Sequence, residues 1–309
     1  MNDHENKSSF IQAQSKLLKK FKIDYESRFI HVPAVSGQAH VLVTGKGPPV
    51  ILVPGFGDPA AMWAPLLAKL SGYTLYAVDR PCFGLTDYIK QDTNTFRSLA
   101  VQFLEQVLNK LELTKAAFIG NSIGSLWTFW LSIAHPDRVA SMTHIGCPAF
   151  ILGTSAPFPM RLISLPGVGK FIMNLSPPSD KQVKKFAKMV GVDLSDLDEL
   201  TRLLVTMQKM PKVKKAIPEL LHTVVRLRGA RPQVAFNKDD LEQIRQPVQF
   251  IWGEKDPFGS VEIGKRSSAI IPDSEFHLIP GTGHAPWINH TEAVAKLTLS
   301  FLQEKARPS

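Results

Sequence analysis

The chain has 309 residues, of which 44% are hydrophobic and 20% charged, so it is long enough to bury a sizeable core. Its two cysteines, Cys82 and Cys147, exclude a disulfide framework, and no cysteine–histidine cluster has metal-ligand spacing. The net charge of +9 is accompanied by no nucleic-acid motif, which argues against nucleic acid as a partner. The polar residues 1–6 lack the apolar stretch of a signal peptide, which favours a cytoplasmic protein.

The first half of the chain alternates predicted strands and helices. Residues 8–21 place apolar side chains among lysines, which predicts an amphipathic helix before the main fold, and 28–32 pairs with 39–43 as a hairpin. Strands are then predicted at 49–53, 73–78, 116–119 and 139–145, with helices at 60–70, 95–111 and 123–134. This alternation indicates a parallel sheet with helices on both faces. The uncharged stretch 116–134 contains Gly120-Asn121-Ser122, so a buried strand and helix explain it better than a membrane span.

The alternation stops after residue 149. Between residues 151 and 240, fifteen Lys or Arg and eight Asp or Glu give a net charge of +7, and 194–207 is the clearest helix. A solvated helix face explains these charges best, with an anionic substrate or weak contact with an anionic surface as the minor alternative. Strands return at 248–252 and 275–279, with helices at 261–271 and 291–305, the last with Thr291 as N-cap. The predicted organisation is a helical extension at 1–25, an α/β core at 26–149 and 241–309, and an insertion at 150–240.

Ser122 lies in Gly120-Asn121-Ser122-Ile123-Gly124, at the turn between a predicted strand and a predicted helix. Such a turn is too sharp for side chains at its flanks, which explains the glycines, and it holds the serine in a strained conformation that exposes its oxygen. Free N–H groups at the start of the helix favour negative charge. The pattern predicts a nucleophilic serine, and the alternative is a small-residue turn for close packing.

A serine nucleophile needs a base, and the base needs an orienting acid. Asp256 follows the strand at 248–252, and His284 follows the last strand. Both therefore lie at the carboxyl ends of the strands, where the functional residues of an open parallel sheet are usually found. The competing side chains are Glu254, His144, His277 and His290. We expect Asp256 and His284 to complete a triad with Ser122. The N–H groups of Ile123 and of Phe56, in the glycine-containing loop 54–58, are the expected oxyanion donors, unless that loop is a plain strand-to-helix connection.

These segments together resemble the capped serine hydrolases of the α/β-hydrolase fold superfamily over about residues 28–302. The motifs that carry the resemblance are Gly55-Phe56-Gly57, residues 79–87, the Ser122 turn, residues 252–256 and Gly283-His284. The resemblance implies an α/β fold with a mostly parallel sheet of about eight strands flanked by helices, a helical cap at 150–240, and catalysis without a cofactor.

The chain departs from the usual family pattern at three places. Pro54 stands where relatives usually have histidine, residues 82–86 read Cys-Phe-Gly-Leu-Thr instead of Gly-x-Gly-x-Ser, and Ser125 replaces a glycine. Pro54 lacks an N–H, but the expected donor Phe56 lies two residues later, so the oxyanion hole should survive. Cys82 is expected to serve packing.

A serine rather than an aspartate nucleophile disfavours epoxide hydrolase and haloalkane dehalogenase activity. The expected substrate is a small-molecule ester, with a lipophilic one favoured by apolar cap residues. The residues expected to line the pocket are Phe158, Met160, Leu162, Phe171, Ile172, Met173, Trp127, Trp130 and Trp287. The same triad also serves carbon–carbon bond, lactone and thioester hydrolysis and perhydrolysis, and a ligand receptor on a hydrolase fold stays an alternative. The oligomeric state is not indicated by the sequence.

Overall fold

The computed structural model describes residues 3–175 and 177–305, apart from the side chains of Lys170, Met173 and Asn174. The strands are β1 (Glu26–Val32), β2 (Gly37–Gly45), β3 (Pro49–Val53), β4 (Thr74–Val78), β5 (Ala116–Gly120), β6 (Val139–Ile145), β7 (Val225–Arg226), β8 (Gly229–Ala230), β9 (Val248–Gly253) and β10 (Ser274–Ile279). The helices of the first half are α1 (Asp3–Lys20), α2 (Ala64–Leu67), α3 (Phe96–Lys110) and α4 (Ile123–Ala134). The later helices are α5 (Phe158–Ile163), α6 (Val168–Leu175), α7 (Asp180–Met189), α8 (Asp198–Lys209), α9 (Pro211–Val224), α10 (Lys238–Leu241), α11 (Val261–Ile270), α12 (Pro286–Asn289) and α13 (Thr291–Lys305).

Eight strands form one sheet in the order β1-β2-β4-β3-β5-β6-β9-β10. The pairs β1–β2 and β2–β4 are antiparallel, and the pairs from β4 to β10 are parallel. All five residues of β5 are buried, as expected for a strand with helices on both faces. This arrangement confirms the predicted fold, a mostly parallel sheet flanked by helices. It brings the loops after β3, β5, β9 and β10 to one edge of the sheet.

The segment between β6 and β9, which we call the insertion, carries α5 to α10 and the small hairpin β7–β8. Helix α1 packs along α8 of the insertion, and Lys20 pairs with Glu199 there. The amino-terminal helix therefore connects the sheet domain to the insertion by direct side-chain contact.

Several element boundaries differ from the predicted ones. Helix α1 begins at Asp3 instead of residue 8, and the region predicted as one helix at 60–70 is a 3-10 turn followed by the short α2. Helix α8 begins four residues later than predicted, because Asp193 Oδ1 accepts the N–H and hydroxyl of Ser195 in a turn that competes with the helix.

The predicted N-cap role of Thr291 is wrong. Thr291 is the first residue of α13, and its hydroxyl donates to the carbonyl of Trp287 at 2.7 Å instead of accepting from the helix. Residues 116–134 form β5 and α4, and none of the helices in the described ranges combines the length and apolarity needed to cross a bilayer.

Candidate active site

Ser122 occupies the predicted turn between β5 and α4. Its backbone φ of 54° and ψ of −118° lie outside the regions that residues with a side chain normally adopt, which is the strain expected of a serine at such a turn. A Cβ on Gly124 would lie 2.0 Å from the carbonyl oxygen of Val53, and one on Gly120 would lie 2.7 Å from the Cα of Ser125. Both glycines are therefore required because strand and helix backbones approach too closely for any side chain.

Asp256 and His284 lie side by side, as the sequence predicts. Asp256 Oδ2 accepts a hydrogen bond from His284 Nδ1 at 2.8 Å and another from the N–H of Cys147 at 2.8 Å. Asp256 Oδ1 accepts the N–H of Phe258 at 2.9 Å, and the Phe258 ring packs 4.2 Å from the imidazole. An ionised carboxylate is an acceptor, so it holds the proton on Nδ1 and leaves the lone pair of Nε2 free to act as a base.

The free nitrogen of His284 lies in the same cavity as the serine. Nε2 is buried and has no hydrogen-bond partner among the described residues, so the bond to Ser122 Oγ is not formed in this structure. Ser122 and His284 both line a cavity of 350 Å³ beneath the insertion, which we call the chamber. Hydrogen bonds between catalytic groups are often made only when substrate binds.

Backbone contacts from two parts of the chain hold the loop that carries His284. The N–H of His284 donates to the carbonyl of Val190 at 2.8 Å, and the N–H of Gly283 donates to Gly191 at 3.2 Å. From the serine turn, Asn121 Nδ2 donates to the carbonyl of His284 at 3.1 Å. The insertion therefore positions the imidazole as well as covering it.

The two predicted oxyanion donors belong to residues that line a cavity together with the serine. Phe56 and Ile123 line a smaller cavity of 30 Å³ together with Ser122. As the first residue of α4, Ile123 has no intrahelical acceptor for its N–H. Neither this N–H nor that of Phe56 donates a hydrogen bond within residues 3–175 and 177–305. Both groups are therefore available to an anionic oxygen.

Asp58 is a site residue that the sequence analysis missed, although it lies only two positions after Phe56. Its side chain lines the chamber, and burial raises its pKa to about 6, against the opposing charges of Arg80 and His284. Asp58 Oδ2 and Ser122 Cβ lie 3.2 and 3.3 Å from the point that a Cβ on Gly55 would occupy. A second carboxyl group thus lies within a few ångströms of the serine.

Arg80 was also missed, and its signal was a cation two residues after the apolar strand β4. The side chain is fully buried and donates to two carbonyls of the oxyanion loop, those of Pro54 at 3.0 Å and Gly55 at 2.6 Å. Burial lowers the pKa of Arg80 to about 10, which leaves the guanidinium charged at neutral pH.

The four alternatives to Asp256 and His284 either bind other groups or lie elsewhere in the fold. Glu254 accepts the N–H of Gly281, and His277 pairs with Glu275. His144 is buried among aromatic rings, with its ring 4.0 Å from that of Phe129. The remaining competitor, His290, is exposed. None of these four side chains lines the chamber or the smaller cavity.

Cys82 serves packing rather than the site. Its thiol is buried against the loop that follows, donating to the carbonyl of Ile89 at 3.1 Å, and burial raises its pKa. With φ at 76°, Cys82 adopts the left-handed conformation that favours glycine, which explains why relatives usually have glycine at this position.

The chamber is lined by fewer of the predicted residues than expected. Met160 and Ile172 line it, whereas Phe158, Leu162 and Phe171 do not, and Phe158 and Phe171 are 54% and 64% exposed. The side chain of Met173 lies outside the described residues. The predicted contribution of three tryptophans is wrong, because they are fully buried in the core away from the cavity: Trp127, Trp130 and Trp287.

The rest of the chamber wall is mostly apolar. The side chains that line it come from α7 and α8, among others, and the polar ones besides Asp58 and the serine–histidine pair are Asn121, Gln182 and Gln208. Across the described ranges, no group of three or more His, Cys, Asp or Glu side chains is placed to hold a metal ion.

Comparison with known proteins agrees with this geometry. The family model of the alpha/beta hydrolase fold matches residues 48–291. A relative from Paraburkholderia phymatum, named 2-hydroxy-6-oxononadienedioate/2-hydroxy-6-oxononatrienedioate hydrolase, is 27% identical over 273 residues, which is 86% of this chain and 91% of the relative.

Solved structures share the fold across almost the whole chain. Carboxylesterase CesB from Bacillus subtilis has a TM-score of 0.76 at 22% identity, over 96% of this chain and 98% of its own. A 2-hydroxy-6-oxo-6-phenylhexa-2,4-dienoate hydrolase from a Rhodococcus species has a TM-score of 0.74 at 16% identity, over 91% of this chain and 99% of its own. Because the family model covers most of the sheet domain and the strained serine turn, the chain belongs to the alpha/beta hydrolase fold family.

Proposed function

We propose that the chain is a serine hydrolase that breaks the carbon–carbon bond next to a ketone. Ser122 is the nucleophile, His284 the base and later the acid, and Asp256 the group that orients the imidazole. The observation that carries this assignment is the strained Ser122 turn, which faces the same chamber as an imidazole whose Nδ1 is bonded to a buried carboxylate.

The relatives support the type of bond. The substrates named for the Paraburkholderia and Rhodococcus proteins each contain a ketone and carry no ester. Hydrolysis of such a compound into two fragments has to break a carbon–carbon bond. We therefore rank carbon–carbon bond cleavage above the ester cleavage that was expected from the sequence.

In the proposed reaction, Ser122 Oγ bonds to the ketone carbon while its proton passes to His284 Nε2. The N–H groups of Phe56 and Ile123 stabilise the resulting oxyanion. When this intermediate collapses, the carbon–carbon bond breaks, its electron pair stays on the leaving carbon, and that carbon takes the proton from His284. Water, activated by the same imidazole, then cleaves the Ser122 ester and releases a carboxylic acid.

The position of the histidine orients the substrate. The leaving fragment receives its proton from His284, so it occupies the chamber, which His284 lines. A carbon can leave with an electron pair only if conjugation spreads the charge. The leaving carbon must therefore be saturated and next to a carbon–carbon double bond that is conjugated to a carbonyl. A dienol substrate reaches this form when it ketonises, with the enol proton passing to the leaving carbon, and Gln182 and Gln208 lie in the chamber to bind the polar atoms of this fragment.

Ester hydrolysis is the second candidate, and one observation favours it. The described side chains that line the chamber include the carboxyl of Asp58 and no lysine or arginine. A leaving fragment that carries a carboxylate would find no cationic partner there, whereas a neutral alcohol would need none. The fold similarity to carboxylesterase CesB is compatible with this reaction.

Parallel assays separate the two candidates. The wild type is tested with 2-hydroxy-6-oxo-6-phenylhexa-2,4-dienoate and with p-nitrophenyl acetate and butyrate, together with Ser122→Ala and the control Ser132→Ala, whose hydroxyl lies farther along the same helix. We expect kcat/KM to be about tenfold or more higher for the ketone, and activity to be lost only in Ser122→Ala. The reverse ratio assigns an esterase. A folded wild type that hydrolyses neither and resists a fluorophosphonate supports a ligand receptor.

A further inference from the structure

Arg80 is a buried cation that holds the backbone of the oxyanion loop. Its Nε donates to the carbonyl of Pro54 at 3.0 Å and its Nη2 to the carbonyl of Gly55 at 2.6 Å. The rings of Phe83 and Trp127 lie 5.3 and 5.4 Å from the guanidinium carbon. A buried charge is costly unless it is bonded, so the two hydrogen bonds and the two rings favour this position of the guanidinium, whose Nη1 has no partner among the described residues.

The second of these contacts bears on the oxyanion hole. The carbonyl of Gly55 and the N–H of Phe56 belong to one peptide unit, which is planar and trans, so the two groups point in opposite directions. Holding the carbonyl on the Arg80 side therefore turns the N–H away from Arg80. Phe56 lines both cavities together with Ser122.

The loop sequence makes such a constraint necessary. A Cβ at residue 55 would lie 2.3 Å from Asn121 Oδ1, and the Asn121 side chain is held by bonds from Nδ2 to the carbonyls of Ile145 and His284, so this position favours glycine. Glycine restricts the adjacent peptide less than other residues do, and besides Arg80 the Gly55 carbonyl accepts only the N–H of Asp58, at 3.4 Å, among the described residues. A rotated peptide would present a carbonyl oxygen where the donor belongs. A carbonyl in that position would repel the oxyanion instead of stabilising it.

We propose that Arg80 is a positioning residue for the oxyanion hole: by binding the Gly55 carbonyl, it keeps the Phe56 N–H directed at the oxyanion. The inference rests on the proposed function, because it concerns the stabilisation of a tetrahedral intermediate formed on Ser122. The Arg80 guanidinium, which on this proposal organises the oxyanion hole, lies outside both cavities, on the loop after β4.

The test compares Arg80→Met and Arg80→Lys with a matched control. Arg138 likewise donates its Nε and Nη2 to two backbone carbonyls, those of Thr114 and Leu113, but these carbonyls lie outside the loop 54–58. For each variant, kcat and KM are measured with the best substrate of the wild type. The inhibition constant of an arylboronic acid, which forms a tetrahedral anion on the serine, is measured as well, together with the melting temperature.

We expect Arg80→Met to lower kcat by about 10²- to 10³-fold with little change in KM, and to weaken the boronic acid by a similar factor. Arg80→Lys should lose about tenfold in both, since an ammonium reaches only one carbonyl well. Arg138→Met should lower the melting temperature alone. A purely structural Arg80 would also lower only the melting temperature and leave kcat and the inhibition constant within about twofold of the wild type, which would overturn the proposal.

Two further outcomes keep the test decisive. If Arg80→Met does not fold, Arg80→Lys decides alone, because it keeps the buried charge and the aliphatic stem. If the wild type neither turns over substrate nor binds the boronic acid, the proposed function is overturned and the positioning role with it. If the wild type does both and Arg80→Lys matches it, only the positioning role is overturned.

Discussion

Asp256 and His284 are joined by a 2.8 Å hydrogen bond between Oδ2 and Nδ1, and no atom of the Asp256 side chain is exposed. Two backbone N–H groups, those of Cys147 and Phe258, also donate hydrogen bonds to this carboxylate. The orientation and the tautomer of the imidazole are therefore set by the buried carboxylate of Asp256 and by the two backbone N–H groups bonded to it. The consequences of this arrangement can be measured.

Asp256→Asn should lower kcat by about four orders of magnitude, because an amide can donate to Nδ1 and place the proton on the wrong nitrogen. The measurement is kcat with the substrate that the parallel assays select, with circular dichroism to verify folding. Glu254→Gln is the matched control, since Glu254 lies in the same turn but is exposed and bonded to Gly281. Loss of activity in Glu254→Gln with retention in Asp256→Asn would reassign the acid of the triad.

His144 should make the protein sensitive to acid. Burial lowers its pKa to about 3, and neither ring nitrogen has a partner within the described residues. The unfolded chain binds a proton near pH 6.5, whereas the folded chain does not, so the stabilising effect of a neutral His144 is lost as the pH falls from 6.5 towards 3. Between pH 7.5 and 4.5 the loss should be about 3 kcal/mol.

His144→Leu should remove this part of the pH dependence of the free energy of unfolding, measured by urea denaturation at both pH values. The exposed His290 provides the control, and His290→Gln should leave the dependence unchanged. Equal losses in the wild type and in His144→Leu would contradict the assignment.

Asp58 should make the protein less stable as the pH rises, whereas His144 makes it less stable as the pH falls. Burial raises its pKa to about 6, so the folded state binds the proton more tightly than the unfolded state. Its contribution is fully favourable below pH 4 and is lost as the pH rises through 6. Asp58→Asn should therefore raise the free energy of unfolding at pH 8 by at most about 3 kcal/mol, less any screening by water in the chamber, and change little at pH 4.

The measurement for Asp58→Asn is the denaturation midpoint at pH 4 and pH 8. Asp24→Asn serves as the control, because Asp24 is exposed on the surface. A stabilisation of the same size at both pH values would show that the effect does not come from titration of Asp58.

Gly124 and Ser125 are neighbours in α4 and should respond to alanine in opposite ways. Gly124→Ala drives a methyl group to within 2.0 Å of the Val53 carbonyl, so it should cost about 3 kcal/mol or more and abolish activity. Ser125→Ala removes a buried hydroxyl that has no partner in the described ranges and should stabilise by about 1 kcal/mol. Thermal denaturation measures both, and a stabilised Gly124→Ala would contradict the close packing of the turn.

Local patterns in the sequence were sufficient for the sheet and for the serine turn. The apolar run of β5 followed by Gly-x-Ser-x-Gly predicts a strand, a strained turn and a helix, because each depends on neighbouring residues. The same reasoning was less accurate at helix ends, as at Ser195 and Thr291, where a side-chain hydrogen bond decides the boundary.

The surroundings of the site could not be predicted in this way. Asp58 and Arg80 are ordinary charged residues in the sequence, and their relation to Ser122 arises only when the loops after β3, β4 and β5 meet. Three tryptophans were expected at the pocket and lie in the core, because a hydrophobic side chain carries no local signal for which apolar surface it will cover.

The sequence by itself determined the order of the elements and the residue types that the chemistry requires, since periodicity and turn composition act over short distances. Tertiary structure alone decided which backbone groups hold the imidazole loop, which carbonyls Arg80 binds and which side chains enclose the chamber. The reason is physical: these contacts join residues such as Val190 and His284, or Gly55 and Arg80, that are far apart in the chain. Their hydrogen bonds and their burial exist only after the sheet has assembled and the insertion has packed over it.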